Sequence, residues 1–267
     1  MAEIKITFLG TGPSGRIPRP GCERPSCRDA RQPGSKSRRL QQSLMISSAG
    51  TALLFDISED VREQWRHADG IRHIDAAFIS HPHNDAYGGL VHIRDVLRGL
   101  GQESLAVYAE RATWDRAEEE FSPLDHLNRR AMTLHEPVSA GPFSVLPFRV
   151  DHTPDPETHP TAGFHISKPE RNIVLITDVK TIPEGSYGII GQPDLLILDC
   201  AIFETIYENA YVSHVNFAEA LKIAARIRPK RTILTQIGVT WPPYDEARKL
   251  AEGHGVDIAY DGREVVL

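Results

Sequence analysis

The chain has 267 residues, 40% of them hydrophobic and 25% charged, a globular mixture long enough to bury a core without covalent staples. Three cysteines are an odd count and too few for a disulfide framework, which points to a reducing compartment and a cytoplasmic protein. Apolar runs such as Leu195–Leu198 and Ile173–Ile176 fall far short of the roughly 20 residues of a membrane span. A formal charge of -6 argues against a general nucleic-acid surface, although the stretch from Arg16 to Arg39 is locally basic.

Ile4–Leu9 reads as a short strand stopped by the turn-forming Gly10-Thr11-Gly12. From Ser14 to Arg39 the chain carries Pro18, Pro20, Pro25 and Pro33 among many arginines, the composition of a long surface loop. Ser43–Ser47 and Thr51–Ile57 flank Ala49-Gly50 as the two arms of a hairpin, and Ser58 is placed to cap a helix carrying Val61 and Trp65. An alternating pattern follows. Strand Ala76–Ile79 leads through a loop to a helix from about Gly88 to Leu100, and strand Leu105–Ala109 precedes a helix over Arg111–Phe121.

The second half predicts strands at Phe143–Val150, Gly163–Ser167, Ile173–Thr177, Leu195–Asp199, Thr232–Thr235 and Val256–Tyr260, with helices around the fifth. Asn216-Phe217-Ala218-Glu219 has the form of a capping box, so a helix should run from there through Ile227. Hairpin-rich β segments mixed with single crossover helices suggest an α/β sandwich of two sheets covered by helices, one domain spanning the whole chain.

The segment with chemical content is Ile79-Ser80-His81-Pro82-His83-Asn84-Asp85-Ala86-Tyr87-Gly88-Gly89. A strand ends abruptly in two imidazoles and a carboxylate at alternate positions, and alternate residues of an extended chain project the same way. Imidazole suits borderline divalent metals and a carboxylate adds neutralising charge. Two further strand ends repeat the arrangement, Val150-Asp151-His152 and Ile176-Thr177-Asp178, and converging strand ends are where α/β folds place ligands.

With these residues in view the sequence resembles the metallo-β-lactamase-fold hydrolases, whose signature is His-x-His-x-Asp-His followed by a His, a bridging Asp and a final His. Within that superfamily it is similar to the branch of the carbon–phosphorus lyase pathway cyclic phosphodiesterase and the B-type pyrroloquinoline-quinone biosynthesis protein. That narrower match rests on Phe8-Leu9-Gly10-Thr11-Gly12, Gly21-Cys22, Ser26-Cys27-Arg28-Asp29-Ala30, Asp56-Ile57-Ser58-Glu59-Asp60, Asp199-Cys200 and Ser213-His214. The resemblance implies a four-layer αββα sandwich. It also implies metal ligation by His81, His83, His152 and Asp178, with Asp85 at a second ion or orienting water, and His214 serving the leaving group or the phosphate.

Two positions depart from the pattern: Ala86 stands where the motif has its third His, and Gln236 where the final His should close a strand. Neither offers an imidazole, so one ion at the first site is expected, Zn or Mn with Fe allowed, and a second that is weak or absent. The Cys-rich stretch retains Cys22 and Cys27 but has Arg24 between them, and the distant His of relatives would lie near Val239 or Thr240. Two thiolates do not complete a structural zinc site. Cys200 reads as a buried thiol, His159 and His165 as secondary candidates for the site, and Arg38 and Arg39 as phosphate contacts or a solvated loop.

The expected function is a metal-dependent hydrolase of a small phosphodiester, cyclic ones included. The rivals are a mononuclear iron oxygenase and a non-catalytic or cofactor-biosynthesis protein that retains the fold. The expected partner is that small phosphodiester, with neither a membrane nor a nucleic acid, and a homodimer is allowed.

Overall fold

The computed structural model describes residues 2–155, 159–204 and 213–267. Its first-half strands are β1 (Lys5–Gly10), β2 (Ser43–Ser48), β3 (Thr51–Phe55), β4 (Ala76–Phe78), β5 (Leu105–Ala109) and β6 (Leu127–Ala131). The second half supplies β7 (Val138–Ala140), β8 (Phe143–Val150), β9 (Thr161–Lys168), β10 (Arg171–Ile176), β11 (Leu195–Asp199), β12 (Arg231–Thr235), β13 (Asp257–Ile258) and β14 (Glu264–Val266). Helices are α1 (Pro25–Ala30), α2 (Val61–Gln64), α3 (Asn84–Tyr87), α4 (Ile93–Leu100), α5 (Arg111–Glu120), α6 (Glu184–Ile190), α7 (Phe217–Ile227) and α8 (Tyr244–Gly253).

The strands form two seven-stranded sheets, ordered β14-β1-β2-β3-β4-β5-β6 and β13-β12-β11-β10-β9-β8-β7. Each is mixed in the same way. Antiparallel hairpins at one side, such as β1-β2-β3 and β8-β9-β10, pass into a parallel side, β3-β4-β5-β6 and β10-β11-β12-β13. The β2–β3 turn places Ala49 at φ 52° and Gly50 at φ 83°, the doubly left-handed turn whose twist matches a tight hairpin.

Alternation within the strands divides the core into layers. Between the sheets, Ile6, Phe8, Ile46 and Phe55 from one side meet Phe164, Leu175 and Ile197 from the other. The opposite face of the first sheet, with Met45 and Leu54, is covered by Val61, Ile93, Leu97 and Trp114 of its helices. The opposite face of the second, with Val174, Ile176 and Leu198, is covered by Ile190, Ala220, Ile227 and Ala247. The order is helix, sheet, sheet, helix, the four-layer αββα sandwich expected from the resemblance. Strands such as β10 and β11 are apolar on both faces because both faces are buried.

Several element boundaries differ from expectation. The stretch from Ser14 to Arg39 holds α1, which starts with Pro25 at its first position, where the missing N–H is no loss. The helix after the His motif begins at Ile93, and a single turn, α3, precedes it. Ser58 is not the cap residue of α2: its Oγ accepts from the Asp60 N–H at 3.3 Å, and Asp60 occupies the cap position. Strands β6, β7 and β14 and helix α6 carry little sequence signal. β6 is an edge strand with Asn128, Arg129 and Arg130 exposed, and α6 contains Gly185 and Gly188. The capping box on α7 forms as read, with Glu219 N–H donating to Asn216 Oδ1 and Asn216 N–H donating to the Glu219 carboxylate, both at 2.9 Å. Among the described residues no helix is long and apolar enough to cross a membrane.

Candidate metal centre

Five strand ends supply the site. His81 and His83 follow β4, His152 follows β8, Asp178 follows β10, Asp199 ends β11 and Gln236 follows β12. The parallel strands leave their carboxyl ends on one edge of the sandwich, where side chains can converge. Gly89 makes the β4 end possible. Its N–H donates to Ile57 O at 2.8 Å, and a Cβ there would lie 2.0 Å from Ser58 O, so only glycine lets α3 and α4 press against this turn.

One ligand atom each from His81, His83 and His152 lies within 4.8 Å of the others, and the same holds for His152, Asp178 and His214. The rings of His81, His83 and His152 stand 4.7 to 5.2 Å apart, edge to face. Asp178 Oδ1 is 3.9 Å from His81 Nε2, 3.7 Å from His152 Nε2 and 3.9 Å from His214 Nδ1. Each imidazole is oriented by its far nitrogen: His81 Nδ1 meets Ser80 Oγ at 2.8 Å, and His152 Nδ1 donates to Ser213 O at 2.8 Å. His81 Nε2 is buried and makes no hydrogen bond. A buried lone pair without a donor, beside two more imidazoles and a carboxylate, fits a borderline divalent ion.

Electrostatics agree with that fit. Burial and the neighbouring imidazoles push His81 well below its ordinary range and His83 down to about 4, so both rings are neutral and ready to coordinate at neutral pH. Burial alone would raise Asp178, but His81, His152, His214 and the Gln236 amide hold its carboxyl below the usual carboxylate range. Burial, then the charge of Asp178, lifts Asp85 to about 7. His214 behaves oppositely: burial opposes its charge, yet Asp199, 2.8 Å from Nδ1, lifts it to about 9.

A pocket of about 820 Å³ opens over this cluster, walled by His83, Asp85, His152, Asp178 and His214 on one side and Tyr87, Arg116 and Glu120 on another. Tyr87 donates its hydroxyl proton to Glu120 at 2.5 Å, and Arg116 contacts the His159 ring.

The structure therefore gathers His81, His83, His152, Asp178 and His214. Asp85 lines the same pocket but falls outside both groups of closely spaced ligand atoms among the described residues. His159 stands 5.9 Å from His83, ring to ring, whereas His165 sits in β9 opposite Leu146 and Val174, away from the site. Arg39 is buried and donates to Thr11 Oγ1 and Ala259 O, and exposed Arg38 pairs with Glu63. Neither lines the metal pocket, so the expected phosphate contact there is corrected: the chain between Ser14 and Leu40 folds these side chains to its other side. Cys22 and Cys27 pack with Ile17, Ala30 and Val239 into a small apolar cluster, and Cys200 is buried beneath the second sheet's helices.

For two residues the sequence marked the position but not the role. One is Asp199, which accepts from the Val179 and Ala201 N–H groups and from His214. The other is Gln236, whose left-handed backbone at φ 60° turns the side chain inward so that Nε2 donates to both oxygens of Asp178 at 2.9 and 3.0 Å. Ala86 is packed into the apolar layer with Tyr87 and Ile57.

A model of the beta-lactamase superfamily domain matches residues 51–237. The chain is 26% identical to an octanoyltransferase of Porphyromonas gingivalis over 99% of its own length, but covers only 52% of that protein. It is 27% identical to a ribonuclease Z of Archaeoglobus fulgidus, covering 93% of this chain and 94% of that one. Among solved structures, a diphosphatase of the PhnP family superposes with a TM-score of 0.85 at 26% identity, covering 100% of this chain and 98% of the other. Zinc-bound PqqB from Methylobacterium extorquens superposes with a TM-score of 0.83 at 22% identity, covering 98% and 100%.

Proposed function

The chain belongs to the beta-lactamase superfamily, and from that premise we propose that it is a metal-dependent phosphodiesterase acting on a small, cyclic or linear, phosphodiester with one Zn or Mn ion. The observation that carries this reading is the juxtaposition of three converging imidazoles and Asp178 with a protonated His214 in one pocket. The names of two relatives, a ribonuclease and a diphosphatase, point to phosphorus–oxygen bonds as well.

When bound, a divalent ion supplies Lewis acidity, bringing the pKa of water toward about 7 and drawing on a phosphoryl oxygen. His81, His83, His152 and Asp178 would hold it. Ser80 and the Ser213 carbonyl fix the imidazole rings, and a ligand ring that is held by its second nitrogen needs no reorientation on loading. Asp85, whose carboxyl burial lifts to about 7, lines the pocket beside the ligand cluster and would orient the attacking water and take up its proton. His214 keeps Nδ1–H on Asp199 and presents the Nε2 proton to the leaving oxygen, with the imidazolium charge also favouring the phosphate.

Gln236 supports a single ion. Its Nε2 already holds both oxygens of Asp178, so the amide dipole stands where a second cation would otherwise satisfy that carboxylate, and Ala86 contributes no ligand. Hydrolysis of bis-nitrophenyl phosphate and 2′,3′-cyclic nucleotides by the metal-loaded protein tests the proposal. His81→Ala should lose bound metal and at least about 100-fold in rate, more than residues that merely orient a ligand usually cost. Hydrolysis unaffected by His81→Ala, or oxygen uptake by iron-loaded protein without phosphodiester cleavage, would overturn it.

A further inference from the structure

A second pocket, of about 440 Å³, lies on the other side of the loop that follows Gly12, and it shares no lining residue with the metal pocket. Four arginines line it, Arg16, Arg31, Arg38 and Arg39, against one carboxylate, Glu63, with Ile17 and Leu40 as apolar floor. We propose that this pocket binds a phosphate-type oxyanion, free or carried by a mononucleotide, at a site separate from the metal centre.

Arg39 anchors the proposal. It is 2% exposed, and both of its hydrogen bonds leave from Nη1, to Thr11 Oγ1 at 2.6 Å and Ala259 O at 2.8 Å. The opposite edge of the guanidinium, Nε and Nη2, has no hydrogen-bond partner among the described residues. A guanidinium edge of two parallel N–H groups matches two oxygens of one phosphate. Neither nitrogen belongs to the buried side-chain atoms that lack a partner, so this edge opens toward the pocket, where an anion can take the place of water.

The other three arginines have carboxylate neighbours, and these decide how much charge is available. Arg16 is closely paired with buried Asp60 at 2.9 Å and more loosely with Glu59 at 3.8 Å. Arg31 reaches Glu23 at 3.4 Å and donates to Cys22 O at 2.6 Å, and Arg38 reaches Glu63 at 3.5 Å. The Arg31 and Arg38 pairs are long and involve exposed side chains, the class of ion pair that contributes little and exchanges readily. Asp261, held by Thr11 Oγ1 and the Leu40 N–H, balances Arg39 from behind. Arg31 and Arg38 are thus the mobile donors and Arg39 the fixed one, and a tetrahedral dianion has acceptors for all three.

Isothermal titration of the full-length protein with inorganic phosphate and, in parallel, with AMP reads this site directly. The Arg31→Ala/Arg38→Ala double variant, altered only at exposed positions, should bind phosphate at least about tenfold more weakly, because two charge-assisted contacts are lost. Its circular dichroism and its phosphodiester hydrolysis should be unchanged. Glu63→Gln, which removes the lining carboxylate, should tighten binding by about threefold, a gain no structural defect produces. AMP binding tighter than phosphate would identify a nucleotide as the ligand, and equal affinities the free anion. Phosphate binding that is the same in the double variant as in the wild type, or no saturable binding at millimolar phosphate, overturns the proposal. Because binding is read in place of turnover, its failure is separable from failure of the phosphodiesterase reading.

Discussion

Asp199→Asn probes the His214 environment through its effect on stability. Asp199 is fully buried at the end of β11; Oδ2 accepts from His214 Nδ1 at 2.8 Å and the Val179 N–H at 3.0 Å, and Oδ1 from the Ala201 N–H at 3.0 Å. An asparagine must turn its NH2 toward at least one of these donors, so the variant loses the charge and a hydrogen bond together. In the native protein burial lowers the His214 pKa, but Asp199 overrides it and lifts the group to about 9. Without that charge it falls toward its ordinary value, held up only by Asp178 and Asp85, and at about 1.4 kcal/mol per pKa unit the coupling amounts to at most about 3 kcal/mol. His214 is only 23% exposed, so solvent screening removes little of this. The folded state favours the protonated imidazole. Its contribution is therefore complete below the unfolded pKa of about 6.5 and is lost as pH rises through about 9. Urea unfolding of chelator-treated protein, from about pH 6 to pH 10, should show the wild type losing up to about 3 kcal/mol relative to Asp199→Asn, the gap narrowing toward the alkaline end to what the lost hydrogen bond leaves. A constant difference between the curves across that range would refute the coupling.

Gln236→His should raise the metal content of Zn- or Mn-loaded protein from about one ion per chain to about two, measured by plasma mass spectrometry, because an imidazole replaces an amide beside Asp178. A count that stays near one in a folded variant would show that the amide is not what limits the site. Gly89→Ala should destabilise the protein by about 3 kcal/mol, since its Cβ would meet Ser58 O at 2.0 Å, and should weaken metal binding by displacing α3. Gly99→Ala, in α4 with open space around it, should instead stabilise by about 0.5–1 kcal/mol; thermal melts of the two variants moving the same way would refute the packing assignment.

Much of the fold was legible because its strands have strong periodicity or strong ends. β5, β8 and β11 have the bounds read from sequence, and each is an apolar run closed by a turn, a charge or a histidine. β6 was not legible: an edge strand with Asn128, Arg129 and Arg130 facing solvent has no buried face to impose alternation. α6 was missed for a related reason, since two glycines leave it little helix propensity and its stability comes from seating Ile190 against the second sheet. The helix after the His motif started late because residues 84 to 92 serve the site before they serve a helix: Gly89 must approach Ile57 and Ser58.

For the site, ligand types at strand ends were readable and partner geometry was not. His81, His83, His152 and Asp178 announce themselves because coordination needs those atoms at the ends of adjacent strands. Asp199 closes a strand in the same manner, yet nothing in the sequence distinguishes a carboxylate that touches metal from one that stands behind an imidazole. That difference lies in which donors converge on it, the Val179 and Ala201 N–H groups and His214 Nδ1, and those come from three separate segments. Gln236 makes the same point from the other side. Its substitution reads as the loss of a ligand, but in the folded chain a left-handed backbone turns the amide onto both oxygens of Asp178. A buried carboxylate left without a partner costs several kcal/mol, so the amide preserves the fold of a site that has lost an imidazole, and it does so whether or not the first ion is bound.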